Sequence, residues 1–234
     1  KVEAKIRNPT DTFTRYFDIC SLNITAMKHH LYQTYKYKGI HCIQEHQSPE
    51  EKHCSHRTTA VDNGYKLQMT PPAPDAGRAS AGVAIQVPKK VPPAEMEGET
   101  DAFKKWRAQG RCCASLVVLS KHCSLVIYCI YGFTGGSTDC HAAAKTNAII
   151  ECIFHENTAQ GGPPCLIVGD INCLTTDLTF MRHLLGPANF TDAGARADTW
   201  GRPANTPTCR ADNSETANRR DYIFIHPLVM PLVT

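Results

Sequence analysis

The chain has 234 residues, with 25 Lys and Arg against 22 Asp and Glu, and is 42% hydrophobic. That length buries a substantial core, and the plentiful apolar residues with low net charge exclude an intrinsically disordered chain. The formal charge of +3 makes no global case for a polyanionic partner, and no apolar run approaches the roughly 18 residues of a membrane span. Residues 16–22 form an aromatic and β-branched run that predicts a strand. Thr25 is placed to cap a helix in which Met27, Leu31 and Tyr35 recur every four residues on one face, with Gly39 as its stop. Residues 40–43 predict a second strand. Between residues 70 and 100, Pro71, Pro72, Pro74, Pro88, Pro92 and Pro93 forbid a long helix and leave one strand, residues 82–87, among loops. Residues 115–120 and 125–131 predict a hairpin turned at 121–124. A helix is predicted over 139–160, capped by Asp139 and stopped by Gly161-Gly162, with Ala143, Asn147, Ile150 and Phe154 on one face. The apolar run Cys165-Leu166-Ile167-Val168 reads as a central strand, and residues 222–225 as the last one. Strands mixed with helices predict an α/β domain spanning the chain.

The twelve cysteines mostly occupy apolar positions, such as Cys42, Cys129 and Cys165, where a thiol packs as a small hydrophobe. They predict reduced thiols and an intracellular protein. His41, Cys42, His46, His53, Cys54 and His56 crowd together after one strand, but their spacing matches no zinc pattern, so no zinc is expected there.

Three predicted strands end in residues suited to phosphate chemistry: Asn23, Glu45, and Asp170 with Asn172 in Gly169-Asp170-Ile171-Asn172. In open α/β sheets, ligands meet the protein beyond the carboxyl ends of the strands. Hard oxygen donors at such a place suit Mg²⁺ or Mn²⁺.

Taken in order, Ser21-Leu22-Asn23-Ile24-Thr25, Ile43-Gln44-Glu45-His46, Gly169-Asp170-Ile171-Asn172 and Arg220-Asp221-Tyr222-Ile223 resemble the motifs of the endonuclease/exonuclease/phosphatase (DNase I-like) family. The flavour is closest to the endonuclease domains of non-LTR retrotransposons. Softer matches lie at Gly82-Val83-Ala84-Ile85, Gly110-Arg111, Ile130-Tyr131-Gly132 and Thr206-Pro207-Thr208-Cys209. The resemblance implies a four-layer α/β sandwich of two packed mixed sheets flanked by helices. It implies a Mg²⁺ (or Mn²⁺) held by Glu45 with Asn23 beside it, Asp170 orienting or deprotonating the attacking water, and Asn172 positioning phosphate and water. Tyr131 falls where the family often has a phosphate-contacting tyrosine, although Phe133 stands where a proline often follows. Arg219 and Arg220, beside Asp221, are candidate substrate contacts; Lys89-Lys90, Lys104-Lys105-Trp106-Arg107 and Arg111 are further ones, the lysine pairs reading more plainly as solvated charge.

The implied activity is DNA nicking by one domain of a retroelement polyprotein that also carries a reverse transcriptase, with a nuclear location. A phosphatase acting on a smaller phosphate ester and a folded remnant without turnover share the same motifs. The family closes with a Ser-Asp-His strand whose His pairs with the aspartate matched by Asp221. Thirteen residues follow Asp221 and none spell it, so the expectation is a domain that is C-terminally incomplete and lacks that strand. His226 is no substitute, since residues five apart on a strand point to opposite faces.

Overall fold

A computed structural model describes residues 2–7, 16–24, 27–75, 78–91, 93–120, 123–210 and 217–233. The first half runs β1 (Val2–Arg7), β2 (Tyr16–Asn23), α1 (Met27–Thr34), β3 (Ile40–Gln44), α2 (His53–Asp62), β4 (Tyr65–Met69), a small hairpin of β5 (Ala73–Asp75) and β6 (Arg78–Ser80), and β7 (Val83–Pro88). The second runs β8 (Pro93–Met96), α3 (Asp101–Ala108), β9 (Cys112–Ser120), β10 (Cys123–Tyr131), α4 (Cys140–Ala159), β11 (Cys165–Asp170), α5 (Met181–Leu185), β12 (Thr191–Asp192), β13 (Cys209–Arg210), β14 (Ala217–Asn218) and β15 (Asp221–Ile225).

Two mixed sheets result, ordered β1-β2-β3-β7-β4 and β12-β15-β11-β10-β9-β8. Each has one parallel pair near its middle, β2 with β3 and β10 with β11. Strand alternation sorts the side chains into layers. Ile40 and Cys42 of β3 turn inward to a core shared with Ile85, Ile127, Cys129, Leu166, Val168 and Ile223, which holds the sheets face to face. Ile43 turns outward and packs under Met27 and Leu31 of α1 and Ala60 of α2. On the other side Phe103 of α3 and Ile149, Ile150 and Ile153 of α4 cover Tyr128, Ile167 and Phe224. The layers are therefore helix, sheet, sheet, helix. Each buried isoleucine or leucine contributes on the order of 2 kcal/mol to holding them together.

The helix over 140–159 forms with Asp139 as its cap, the Asp139 carboxylate accepting from the His141 N–H at 2.8 Å. Several expectations need correction. The first helix ends at Thr34, five residues before Gly39, in turns where Lys36 N–H donates to Gln33 and Tyr37 N–H to Thr34. Gly39 is required for another reason: its φ is +122°, and a Cβ there would collide with the Asp18 carbonyl. Thr25, and Lys121 and His122 of the expected turn, lie outside the described residues, and Cys123 and Ser124 already belong to β10. The proline-rich stretch holds β5, β6 and β8 as well as β7; β8 starts on Pro93 and lies at a sheet edge, where a missing N–H costs no ladder bond. The His/Cys crowd is divided among elements: His41 and Cys42 lie on β3, His46 in the loop after it, and His53, Cys54 and His56 on α2, with His41 buried against Tyr65. All twelve cysteines are free thiols. Among the described residues, no helix is long and apolar enough to cross a membrane.

Candidate active site

The carboxyl ends of β2, β3, β10 and β11 meet the amino end of β15 at one edge of the sandwich. Tyr131 and Asp170 are register partners across the parallel pair, and Asp170 and Asp221 across the antiparallel one. Asn23 closes β2, and its Nδ2 donates to Asp170 Oδ2 at 2.9 Å. That bond links the two sheets at the site. Asp170 Oδ1 accepts the Asn172 N–H at 2.8 Å, so both carboxylate oxygens are oriented. Asn172 is buried, and its Nδ2 donates to the Gly132 carbonyl at 3.2 Å. Gly169 before Asp170 is dictated by close approach, because a Cβ would collide with the Ile130 carbonyl on β10.

Glu45 follows β3 directly and is half-buried, its Oε1 accepting from Gln47 Nε2 at 3.1 Å. Glu45 and Asn172 both adopt left-handed backbone, with φ of +58° and +54°. Such a conformation costs roughly 1 kcal/mol per non-glycine residue and persists only where neighbours enforce it. Here His46 and Gln47 donate their N–H groups to Gly82 and Ala81 across the sheet, which pins the turn that carries Glu45.

The electrostatics are those of crowded acids. Burial first, and then the facing Asp221 carboxylate, push the Asp170 carboxyl up to about 6, against hydrogen bonds from Asn23 and Asn172 that favour its charge. Burial, with Glu45 and Asp170 nearby, raises the Tyr131 phenol, and Arg111 opposes the shift. The Arg111 guanidinium lies 4.0 Å over the Phe133 ring and 5.3 Å over that of Tyr131, and donates to the Gly132 carbonyl.

Asp221 is held from two sides. Ser21 Oγ lies 3.1 Å from both Asp221 Oδ1 and Gln44 Oε1, within donating distance of each, and the Arg220 and Asp221 N–H groups donate to Thr208 Oγ1. Ser21, Gln44 and Thr208 were read only as parts of motifs. The signal for Ser21 was available, because it stands two residues before Asn23 and so shares its face.

The two arginines part company. Arg220 is half-exposed near Asp170, whose charge it favours. Arg219 is buried, ion-paired with Asp192, hydrogen-bonded to Asn205 at 3.0 Å, and stacked 4.2 Å over Tyr222. Its guanidinium is committed to the scaffold, which corrects its reading as a substrate contact. His226 lies at the end of β15 remote from Asp221, its ring 5.1 Å from Phe190.

Among the described residues, no three His, Cys, Asp or Glu side chains gather as a ligand cluster. The donor set at the edge is carboxylate and amide oxygen. It fits a cation that takes one or two carboxylates and leaves its other positions to water and phosphate, as Mg²⁺ does. The crowding that lifts Asp170 is also what a nearby cation would relieve.

No protein-family model matches the chain, and no curated protein matches it. Solved structures do. The chain is similar to a 3′ phosphatase, NExo, from Neisseria bound to a product DNA hairpin, with TM-score 0.66 and 16% identity over 90% of this chain and 86% of that one. The fold is DNase I-like. The catalytic domain of Xenopus laevis APE2 gives TM-score 0.62 and 19% identity over 92% of this chain and 83% of that one. The endonuclease domain of TRAS1, a telomere-specific non-LTR retrotransposon, gives 0.57 and 10% over 92% and 88%. The DNase I-like architecture expected from the motif order is thus the one observed.

Proposed function

We propose that the chain hydrolyses phosphodiester bonds with the help of a divalent cation, nicking DNA as the endonuclease domain of a retroelement polyprotein that includes a reverse transcriptase. One observation carries this reading: Asn23, Glu45, Tyr131, Asp170, Asn172 and Asp221, scattered over 199 positions of sequence, lie at one edge of the sandwich. The Asp170 carboxylate is suited to accept a proton from water, because its two oxygens are already oriented by Asn23 and Asn172. Asn172, fixed against Gly132, holds the water and a phosphate oxygen in line. Tyr131, with its hydroxyl 3.4 Å from Thr134 Oγ1, donates to the phosphate, and Arg220 at the rim supplies a positive charge to it. Asp221, held by Ser21, keeps a second acceptor beside Asp170. Glu45 and Asn23 are the residues that would hold Mg²⁺ or Mn²⁺, and a bound cation neutralises charge developing on the phosphate oxygens.

The test is conversion of supercoiled plasmid to the open circle, with Mg²⁺, with Mn²⁺ and with EDTA, beside hydrolysis of a simple phosphate monoester. Cation-dependent nicking without monoester turnover supports the reading. Monoester turnover alone makes the protein a phosphatase, and neither activity makes it a remnant.

A further inference from the structure

The end of the first sheet remote from Glu45 carries a cavity of about 520 Å³ lined by Asp18, Lys38, Gly39, Gly64, Tyr65, Pro88, Lys89 and Lys90. The topology explains this gathering. β2, β3 and β4 begin at that edge and the antiparallel β7 ends there. Gly39 and Glu45 lie six residue steps apart along extended chain, so the cavity lies roughly 20 Å from the candidate active site. Its lining sets three lysines against one aspartate, and all three lysines are exposed.

A row of tyrosines leads into the same cavity. Tyr32 is 67% exposed and meets Tyr35 edge-on at 6.2 Å; Tyr35 lies 5.7 Å from Tyr65, which forms the cavity wall. The Tyr65 hydroxyl donates to the Tyr37 carbonyl at 2.9 Å, and Tyr37 is 41% exposed. The connecting segment Tyr35-Lys36-Tyr37-Lys38 alternates rings with ammonium groups.

We infer that this edge is a second nucleic-acid site, binding single-stranded DNA or RNA independently of the candidate active site. A cavity of this volume holds one nucleotide. Lys38, Lys89 and Lys90 meet its phosphate and the next, and exposed tyrosines offer stacking faces to neighbouring bases. Cationic grooves interleaved with aromatic rings bind single strands by this combination. A rigid duplex keeps its bases stacked and has no use for the tyrosine row, and a free phosphate needs only the lysines. Lys89 and Lys90, considered from sequence as candidate phosphate contacts, line this cavity at the end of the sheet remote from Glu45.

The experiment uses the whole chain in EDTA and a fluorescently labelled dT₂₀ oligonucleotide, read by anisotropy from 50 to 200 mM NaCl. The triple variant Lys38→Ala, Lys89→Ala, Lys90→Ala should bind at least about tenfold more weakly and reduce the slope of log affinity against log salt by about 2, at roughly 0.7 per phosphate contact. Arginine at the same three positions should restore both. Tyr32→Ala with Tyr37→Ala should weaken binding by about fivefold without changing the slope. Glu45→Gln should bind as the unaltered chain does, which separates this site from the candidate active site whatever that site proves to do. The inference is overturned if the lysine variant binds dT₂₀ normally. It is equally overturned if a 20-base-pair duplex binds as tightly with the same lysine dependence, or if millimolar pyrophosphate reproduces the whole interaction.

Discussion

β2 and β3 carry opposite chemistries at their two ends. At their carboxyl ends stand Asn23 and Glu45, next to Asp170 and Asp221; at their amino ends lies the cavity lined by Lys38, Lys89 and Lys90. Between the ends the strands are buried, with Ile19, Ile40, Cys42 and Ile43 fully covered. The acidic end holds Asp170, Asn172 and Asp221 buried and hydrogen-bonded, and tolerates left-handed backbone at Glu45 and Asn172. At the lysine end the positive φ values fall on Gly39 and Gly64, and the lysine charges stand in solvent. Chemistry on a reacting atom needs a set of groups fixed to within a fraction of an ångström, which only a packed and partly strained edge supplies. Attraction of a polyanion needs only charge in the right region.

The largest expected effect breaks the acidic end. Asp170→Asn and Glu45→Gln should each slow plasmid nicking by about 10²–10⁴, whereas Lys89→Ala with Lys90→Ala should change it by less than about threefold. Comparable losses at both ends would erase the distinction between them.

Next in size is the divergence of two adjacent arginines. Arg219→Ala leaves buried Asp192 uncompensated and should cost about 3–5 kcal/mol in urea unfolding. Arg220→Ala should leave the unfolding midpoint unchanged and slow nicking about tenfold by removing one charge-assisted phosphate contact. Equal unfolding of the two variants would remove the scaffold role assigned to Arg219.

A smaller effect separates the sides of the turn that carries Glu45. His46 is buried beneath it, with Nε2 3.1 Å from the Thr70 carbonyl and Nδ1 accepting the Ser48 N–H. Burial, then the adjacent His53, lowers its pKa from 6.5 to about 3. The unfolded chain takes up a proton near pH 6.5 that the folded chain refuses until about pH 3. Stability from this group is therefore complete above pH 6.5 and is lost as pH falls through that window, by a few kcal/mol in all. Thermal unfolding between pH 7.5 and 4 should show the slope of about one proton, and His46→Gln should lower stability at pH 7.5 while flattening it.

The smallest effect falls on Ser21→Ala. Loss of its bond to Asp221 should cost about 1 kcal/mol, or about fivefold in nicking rate, with Ser21→Thr restoring most of it. An unchanged rate would leave Thr208 as a sufficient support.

How much was legible follows from how local each signal is. The helix over 140–159 announced itself through Asp139, two stopping glycines and an apolar face, all within one segment. α2 did not: only His53 and Ala60 of its ten residues are buried, so it has no apolar stripe to read. α3 is short, and Phe103 is its one fully buried anchor; its cap, Thr100 accepting from the Phe103 N–H, went unread among the charged residues around it. β8 is a strand because β9 offers it an edge, a fact no window of sequence contains.

By itself the sequence offered Asn23, Glu45, Asp170 and Asn172 as candidates, because each follows an apolar run whose pattern is local, and it offered Asp221 through the ordered motifs that resemble the DNase I-like family. It could not decide which of two adjacent arginines turns into the scaffold: Arg219 is drawn inward by Asp192, twenty-seven residues away, and by the ring of Tyr222. Nor could it bring Lys38 beside Lys89 and Lys90. Those neighbours exist because β3 and β7 run antiparallel, and strand pairing is a long-range contact set by burial of both faces of the sheet.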